Sequence, residues 1–201
     1  MRYRTRAIAS PASSARKTRR RADVKAIIAV PVFLVVVIVD FITKAVAVAT
    51  MVTAGAPRPV IGDWVRFALV YNPGAAFGLH LGPYSRWLFM ALTVVALFVL
   101  WRLYRSATDA EVPKVLAVAL VASGAVGNVI DRMRSELGVV DFIDVGVGAH
   151  RWPTFNVADM AVSTGAILLA WVLWQEERRA EALQAQQQAE QKASSSTTGA
   201  S

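Results

Sequence analysis

Four aspartates, Asp131, Asp141, Asp144 and Asp159, fall within residues 127–160 beside Asn128, Asn156 and Arg132, in a chain that is 55% hydrophobic. Two carboxylates brought side by side cannot both ionise readily, because each charge raises the other's pKa, and such a pair shares a proton near neutral pH. The ionised member can draw a proton from water while the protonated one polarises a carbonyl and later supplies the leaving amine. Peptide hydrolysis by this route needs no thiol, serine or metal. Asn128, Asn156 and Arg132 carry donors that could orient the acids or hold a tetrahedral oxyanion. Two other readings stand beside it: the four aspartates as oxygen ligands of Mg²⁺ for phosphoryl chemistry, and a helix-packing or transport role without catalysis.

The rest of the 201-residue composition narrows the field. There is no cysteine, which removes thiol nucleophiles, thiolate metal sites and disulfides. Two histidines, His80 and His150, leave little material for a histidine-rich metal centre or a Ser-His-Asp triad. The net charge of +8 suggests nucleic acid until its placement is considered. Nine cations crowd residues 1–25 against the single acid Asp23, with Tyr3 the only aromatic among them. That pattern reads as a disordered basic tail facing lipid headgroups, and no nucleic-acid partner is expected.

The elements that position the acids are apolar blocks without amphipathic spacing, the signature of membrane-spanning helices. Four spans are expected, at about 26–49, 87–103, 115–130 and 157–174. The first follows the basic tail but is too long for a cleavable signal segment. It places Pro31 in its early turns and sets Asp40 and Lys44 four residues apart on one face, acid first, so that they can be buried as a pair. Residues 64–71 alternate in a period of two and predict a short strand, followed by a turn at Asn72-Pro73-Gly74. In the third span, Ser123, Gly124 and Gly127 allow close helix approach, and Asn128, Asp131 and Arg132 project from its end. Asp141 falls in a loop or short strand. Asn156 suits the N-cap of the fourth span, with Asp159 in its first turn.

Lysine and arginine also set the topology. With both termini in the cytoplasm, fifteen cations lie inside and six outside, in line with the positive-inside rule. Asp141 and Asp159 then face the extracytoplasmic side. Beyond the fourth span, an Ala/Gln/Glu-rich stretch to about residue 192 is expected to prolong the helix before a disordered SSSTTGAS tail.

Five motifs in order, DFITK at 40–44, YNPGAAFG at 71–78, GNVIDR at 127–132, VVDFID at 139–144 and FNVAD at 155–159, closely resemble the lipoprotein signal peptidase (signal peptidase II) family. The resemblance spans about residues 26–174 and implies an all-α polytopic fold, four transmembrane helices with a small extracytoplasmic β-sheet cradle. It implies a bacterial cell-membrane aspartyl endopeptidase without cofactor or metal, cleaving diacylglyceryl-modified prolipoproteins immediately before the lipidated cysteine. On these motifs Asp141 and Asp159 match the catalytic dyad. Asn72, Asn128, Arg132, Asn156, Asp131, Asp40 and Lys44 match binding or supporting positions. The implied partners are prolipoprotein substrates, membrane lipids and globomycin-type cyclic peptide inhibitors, and a monomer is expected. The connection at 50–86 is the natural candidate for a moving flap over the cleft.

Overall fold

The structure is a computed structural model, describing residues 11–51, 56–74 and 82–198, with side chains described for 24–51, 56–74, 82 and 84–191. The first ten residues, His80 and much of the suggested flap, including Gly78, lie outside the described residues.

Four long helices carry the chain: α1 (Pro11–Met51), α2 (Ser85–Ser106), α3 (Val112–Arg134) and α4 (Val157–Thr198). Each contains a segment long and apolar enough to cross a membrane: Val24–Met51, Ser85–Ser106, Val112–Arg134 and Val157–Gln191. The first three exceed the expected spans at both ends and the fourth at its C-terminal end alone, because intrahelical hydrogen bonding continues past the apolar run.

Two expectations are corrected here. Helix α1 begins at Pro11, so the second half of the basic segment is helical; proline suits a first helical position because its missing N–H would be unpaired there anyway. Pro31 consequently sits in the helix interior, where it forgoes the bond to the carbonyl four residues back. Helix α4 runs on to Thr198 and includes most of the serine-rich tail, since after Gly165 no glycine or proline interrupts it before that point.

Helix α3 packs against each of the other three helices. Its apolar window is 44% buried, against 6% for α1 and α2, which identifies it as the central helix. Small residues make this possible. A Cβ on Gly124 would collide with the Ala158 carbonyl of α4, and one on Gly165 would come within 2.9 Å of the Ala117 carbonyl of α3. The outward faces stay apolar and exposed, as at Ile27, Leu34, Val95, Phe98 and Ile167, which is what a hydrocarbon solvent requires.

A four-stranded antiparallel sheet sits at one end of the bundle, ordered β1 (Arg58–Ile61), β2 (Val65–Asn72), β3 (Val139–Val147), β4 (His150–Arg151). The strand expected at 64–71 is β2. Asp141 lies on β3, directly opposite Val70, and Asp144 is opposite Arg66. Val139, Val140, Asp141 and Phe142 are all buried, and Phe142 packs on Phe67 with ring centroids 6.1 Å apart. Gly138 enters this strand at φ +101°, and a side chain there would strike the Asn72 carbonyl. The position therefore needs glycine for both conformation and space.

Candidate active site

The start of α4 is built by its own residues. Asn156 Oδ1 accepts from the Asp159 backbone N–H at 2.9 Å, while Asp159 Oδ2 accepts from the Asn156 N–H at 3.2 Å. These are the reciprocal bonds of a capping box. An isolated β-bridge then fixes where this helix start lies. Phe155 exchanges backbone hydrogen bonds with Ile143, at 2.8 and 3.0 Å, drawing residue 156 against β3.

Asn156 is fully buried and links the two acids. Its amide nitrogen donates to Asp141 Oδ1 at 2.7 Å and lies 3.2 Å from both the Val140 carbonyl and Asn128 Oδ1. Its backbone N–H holds Asp159. Asn128 donates from Nδ2 to Asp159 Oδ1 at 2.8 Å, and Asn72 donates from Nδ2 to Asp141 Oδ2 at 3.1 Å. Asn72 itself ends β2 rather than lying wholly in the turn, and its Oδ1 accepts from the Gly74 N–H at 3.0 Å. Three of the expected residues, Asn72, Asn128 and Asn156, and the two acids therefore form one connected set drawn from β2, α3, β3 and the start of α4.

Lys44 governs the orientation of Asn128. Its ammonium donates to Asn128 Oδ1 at 3.0 Å and pairs with Asp40 at 2.7 Å and Asp131 at 2.9 Å. Lys44 carries no acceptor, so the asparagine oxygen must face it, which turns the Asn128 amide nitrogen toward Asp159. Asp131 also accepts from the Val140 N–H at 3.2 Å, steadying β3 one residue before Asp141. Asp40 Oδ1 accepts from the Ala158 N–H at 2.9 Å, and so α1 caps the first turn of α4. That last contact was absent from the sequence reading, which paired Asp40 with Lys44 alone.

Electrostatics separate the acids. Burial, and then the charge of nearby Asp159, push Asp141 up to about 6, against the opposing hydrogen bonds from Asn72 and Asn156. Asp144 goes the other way. Burial would raise its pKa, but Arg151 and Arg66 hold it below the usual carboxylate range. Arg66 grips one oxygen through Nε and Nη2 at 2.9 and 2.7 Å, and Arg151 Nε takes the other at 2.8 Å. Asp144 is thus a strut of the sheet and no part of the acid pair.

The four aspartates considered as Mg²⁺ ligands are not gathered: Asp131 serves Lys44, and Asp144 serves two arginines. Among the described residues no group of three or more His, Cys, Asp or Glu side chains is arranged to hold a metal ion. Arg132 sits close enough to the acids for its charge to act on Asp159, Asp141 and Asp131. It donates to the Asn128 and Gly74 carbonyls at 3.3 and 3.2 Å and lies over the Phe89 ring, tying α3 to the turn after Asn72. The arginine clamp on Asp144 could not be read from the sequence, because Arg66 and Asp144 are 78 residues apart and meet only through strand register.

Comparison with known proteins agrees with this architecture. The family model described as signal peptidase (SPase) II matches residues 32–175. The lipoprotein signal peptidase of Cupriavidus necator is 42% identical over 161 residues, covering 79% of this chain and 89% of the relative. That of Pelotomaculum thermopropionicum is 40% identical, covering 71% and 88%. A bacterial membrane enzyme solved by the in meso method at 2.3 Å resolution superposes with a TM-score of 0.65 at 31% identity, over 74% of this chain and 88% of the other. With the match extending over all four spans and the sheet between them, the chain belongs to the signal peptidase II family of bacterial membrane proteases.

Proposed function

We propose that the chain is an aspartyl endopeptidase that removes signal peptides from diacylglyceryl-modified prolipoproteins, cutting immediately before the lipidated cysteine, with Asp141 and Asp159 as the catalytic pair. One observation carries this reading: Asn156 holds both carboxylates at once, Asp141 through its side chain at 2.7 Å and Asp159 through its backbone at 3.2 Å.

The division of labour follows from the surroundings. Asp159 accepts two hydrogen bonds at the N-terminus of α4, where the helix dipole favours negative charge. It serves as the base that takes a proton from the attacking water. Asp141, which burial pushes up to about 6, donates to the scissile carbonyl oxygen as the tetrahedral centre forms. Collapse of that centre breaks the C–N bond, the proton gained by Asp159 passes to the leaving nitrogen, and Asp141 recovers its own. A docked peptide displaces water from the pair and raises the Asp141 pKa further, which keeps the acid form available at neutral pH. Asn72, Asn128, Asn156, Lys44, Asp40, Asp131 and Arg132 position the pair and the strands that carry it.

The count of fifteen cations in the N-terminal stretch, the 102–114 link and the C-terminal stretch, against six in the other connections, supports both termini in the cytoplasm and a site at the outer surface. A substrate anchored by its lipid in the outer leaflet would present its scissile bond at that depth. The chain acts as a monomer in the cell membrane on this reading, and globomycin-type cyclic peptides would occupy the same cleft.

The decisive assay incubates purified protein with a diacylated prolipoprotein and its unlipidated twin, with and without globomycin and EDTA. Cleavage of the lipidated form only, blocked by globomycin and indifferent to EDTA, is expected. Asp141→Asn and Asp159→Asn should each abolish it with the fold retained. Near-normal turnover in either variant would refute the assignment.

A further inference from the structure

At the opposite end of the bundle from the acids, α1, α2 and α3 leave a groove of about 330 Å³ between them, lined by Ala29, Phe33, Leu97, Trp101, Tyr104 and Ala119 among others. The catalytic reading makes no use of it. Its lining is apolar, as expected of a surface in hydrocarbon, but its mouth is not. The Lys25 ammonium lies over the Tyr104 ring, 5.4 Å from the centroid, and the Arg105 guanidinium lies over the Trp101 ring at 5.9 Å. Two of the groove's own aromatics therefore each carry a cation on one face.

Lys25 is held in place. Its Nζ donates to the Tyr104 carbonyl at 3.3 Å and the Ala107 carbonyl at 2.5 Å, closing the C-terminus of α2. An ammonium has three donors, so one N–H is left over among the described residues. Arg105 is exposed and forms no ion pair among the described residues. Of the acids at this end, Glu111 and Glu176 pair with Lys114, at 3.1 and 2.9 Å, while Asp109, in the link between α2 and α3, keeps one carboxylate oxygen without a hydrogen-bond partner among the described residues.

We propose that this groove is a binding site for one glycerophospholipid with an anionic headgroup, its acyl chain between α1, α2 and α3 and its phosphate between Lys25 and Arg105. The volume lies at the small end of ligand cavities and suits a single hydrocarbon chain. Cation–π contacts hold both positive charges at the groove's mouth, where a phosphate would be met at headgroup depth. A transmembrane signal peptide is the other apolar occupant available to such an enzyme. Its flanking region is positively charged and would meet Lys25 and Arg105 with like charge, so charge complementarity selects the lipid.

The test is native mass spectrometry of the purified full chain, released from micelles containing equal amounts of phosphatidylglycerol and phosphatidylcholine. Wild type should retain one phosphatidylglycerol in preference to phosphatidylcholine by about fivefold for each cation engaged. Arg105→Gln, a change at an exposed residue remote from the acids, should lower that preference about fivefold. Ala29→Leu, which fills the groove without altering charge, should remove the retained lipid altogether. Equal retention of the two lipids by wild type would overturn the proposal. So would an unchanged preference in Arg105→Gln, or undiminished phosphatidylglycerol retention in Ala29→Leu.

Discussion

Replacing Asp141 by asparagine should abolish peptide cleavage and, above pH 6, make the protein more stable. Asp141 is 2% exposed, and its burial and the neighbouring Asp159 charge move it from 3.8 to about 6. At 1.36 kcal/mol per pH unit, that interval corresponds to about 3 kcal/mol. The sign follows from proton linkage. Between about pH 4 and pH 6 the folded chain keeps a proton that the unfolded chain has released, so stability falls as pH rises and the full cost is present above 6. Asparagine has nearly the same shape and never bears the charge. It does forfeit one acceptor, since Asp141 takes hydrogen bonds from both Asn72 and Asn156 through separate oxygens, at a cost of about 1 kcal/mol. The net expectation is a gain of about 2 kcal/mol at pH 8 that reverses to a loss of about 1 kcal/mol at pH 4. Unfolding of wild type and variant in the same mixed micelles at both pH values measures it. A variant less stable than wild type at pH 8, or a difference independent of pH, would refute the argument that burying the ionised Asp141 opposes folding.

Three further outcomes follow from the same geometry. The value of kcat/KM for a lipidated precursor should fall through a single-proton limb near pH 6 as free Asp141 ionises, while the limb in kcat lies at higher pH because bound peptide dehydrates the pair; a profile flat from pH 5 to 8 would contradict this. Lys44→Met leaves buried Asp40 and partly buried Asp131 without their cation and should cost about 3 to 5 kcal/mol, read as a large loss of folded protein on thermal denaturation in micelles. Gly124→Ala drives a methyl group into the Ala158 carbonyl, one residue before Asp159, and should cost about 1 to 3 kcal/mol together with much of the cleavage activity; a variant with normal turnover and midpoint would show that α3 and α4 separate without disturbing the pair.

Local features of the site were legible in advance because their physics is local. The capping relation of Asn156 and Asp159 spans three residues, and the Asp40–Lys44 pair spans one helical turn. Both follow from helical spacing alone. The period-two pattern at 64–71 likewise announced β2. Contacts between elements were not legible. Nothing in the spacing of Arg66 and Asp144 reveals that they face each other across β2 and β3, and nothing near Asp40 says that its second oxygen caps a helix 118 residues away. Arg132 shows the same limit. Its place on the α3 face with Asn128 was evident, yet whether its guanidinium turns to the acids or to the Gly74 carbonyl depends on how β2 ends.

Apolar block length, charge asymmetry and five ordered motifs were enough to determine four membrane spans, their order and the family, since each is a property of the chain read one stretch at a time. Which carboxylate keeps its proton was decided only by the fold. Asp141 and Asp144 are three residues apart on one strand and chemically identical, yet one is walled in beside another acid and driven upward while the other is clasped by two arginines and driven downward. A side chain's ionisation is set by what lies around it in space, and long-range packing supplies those surroundings.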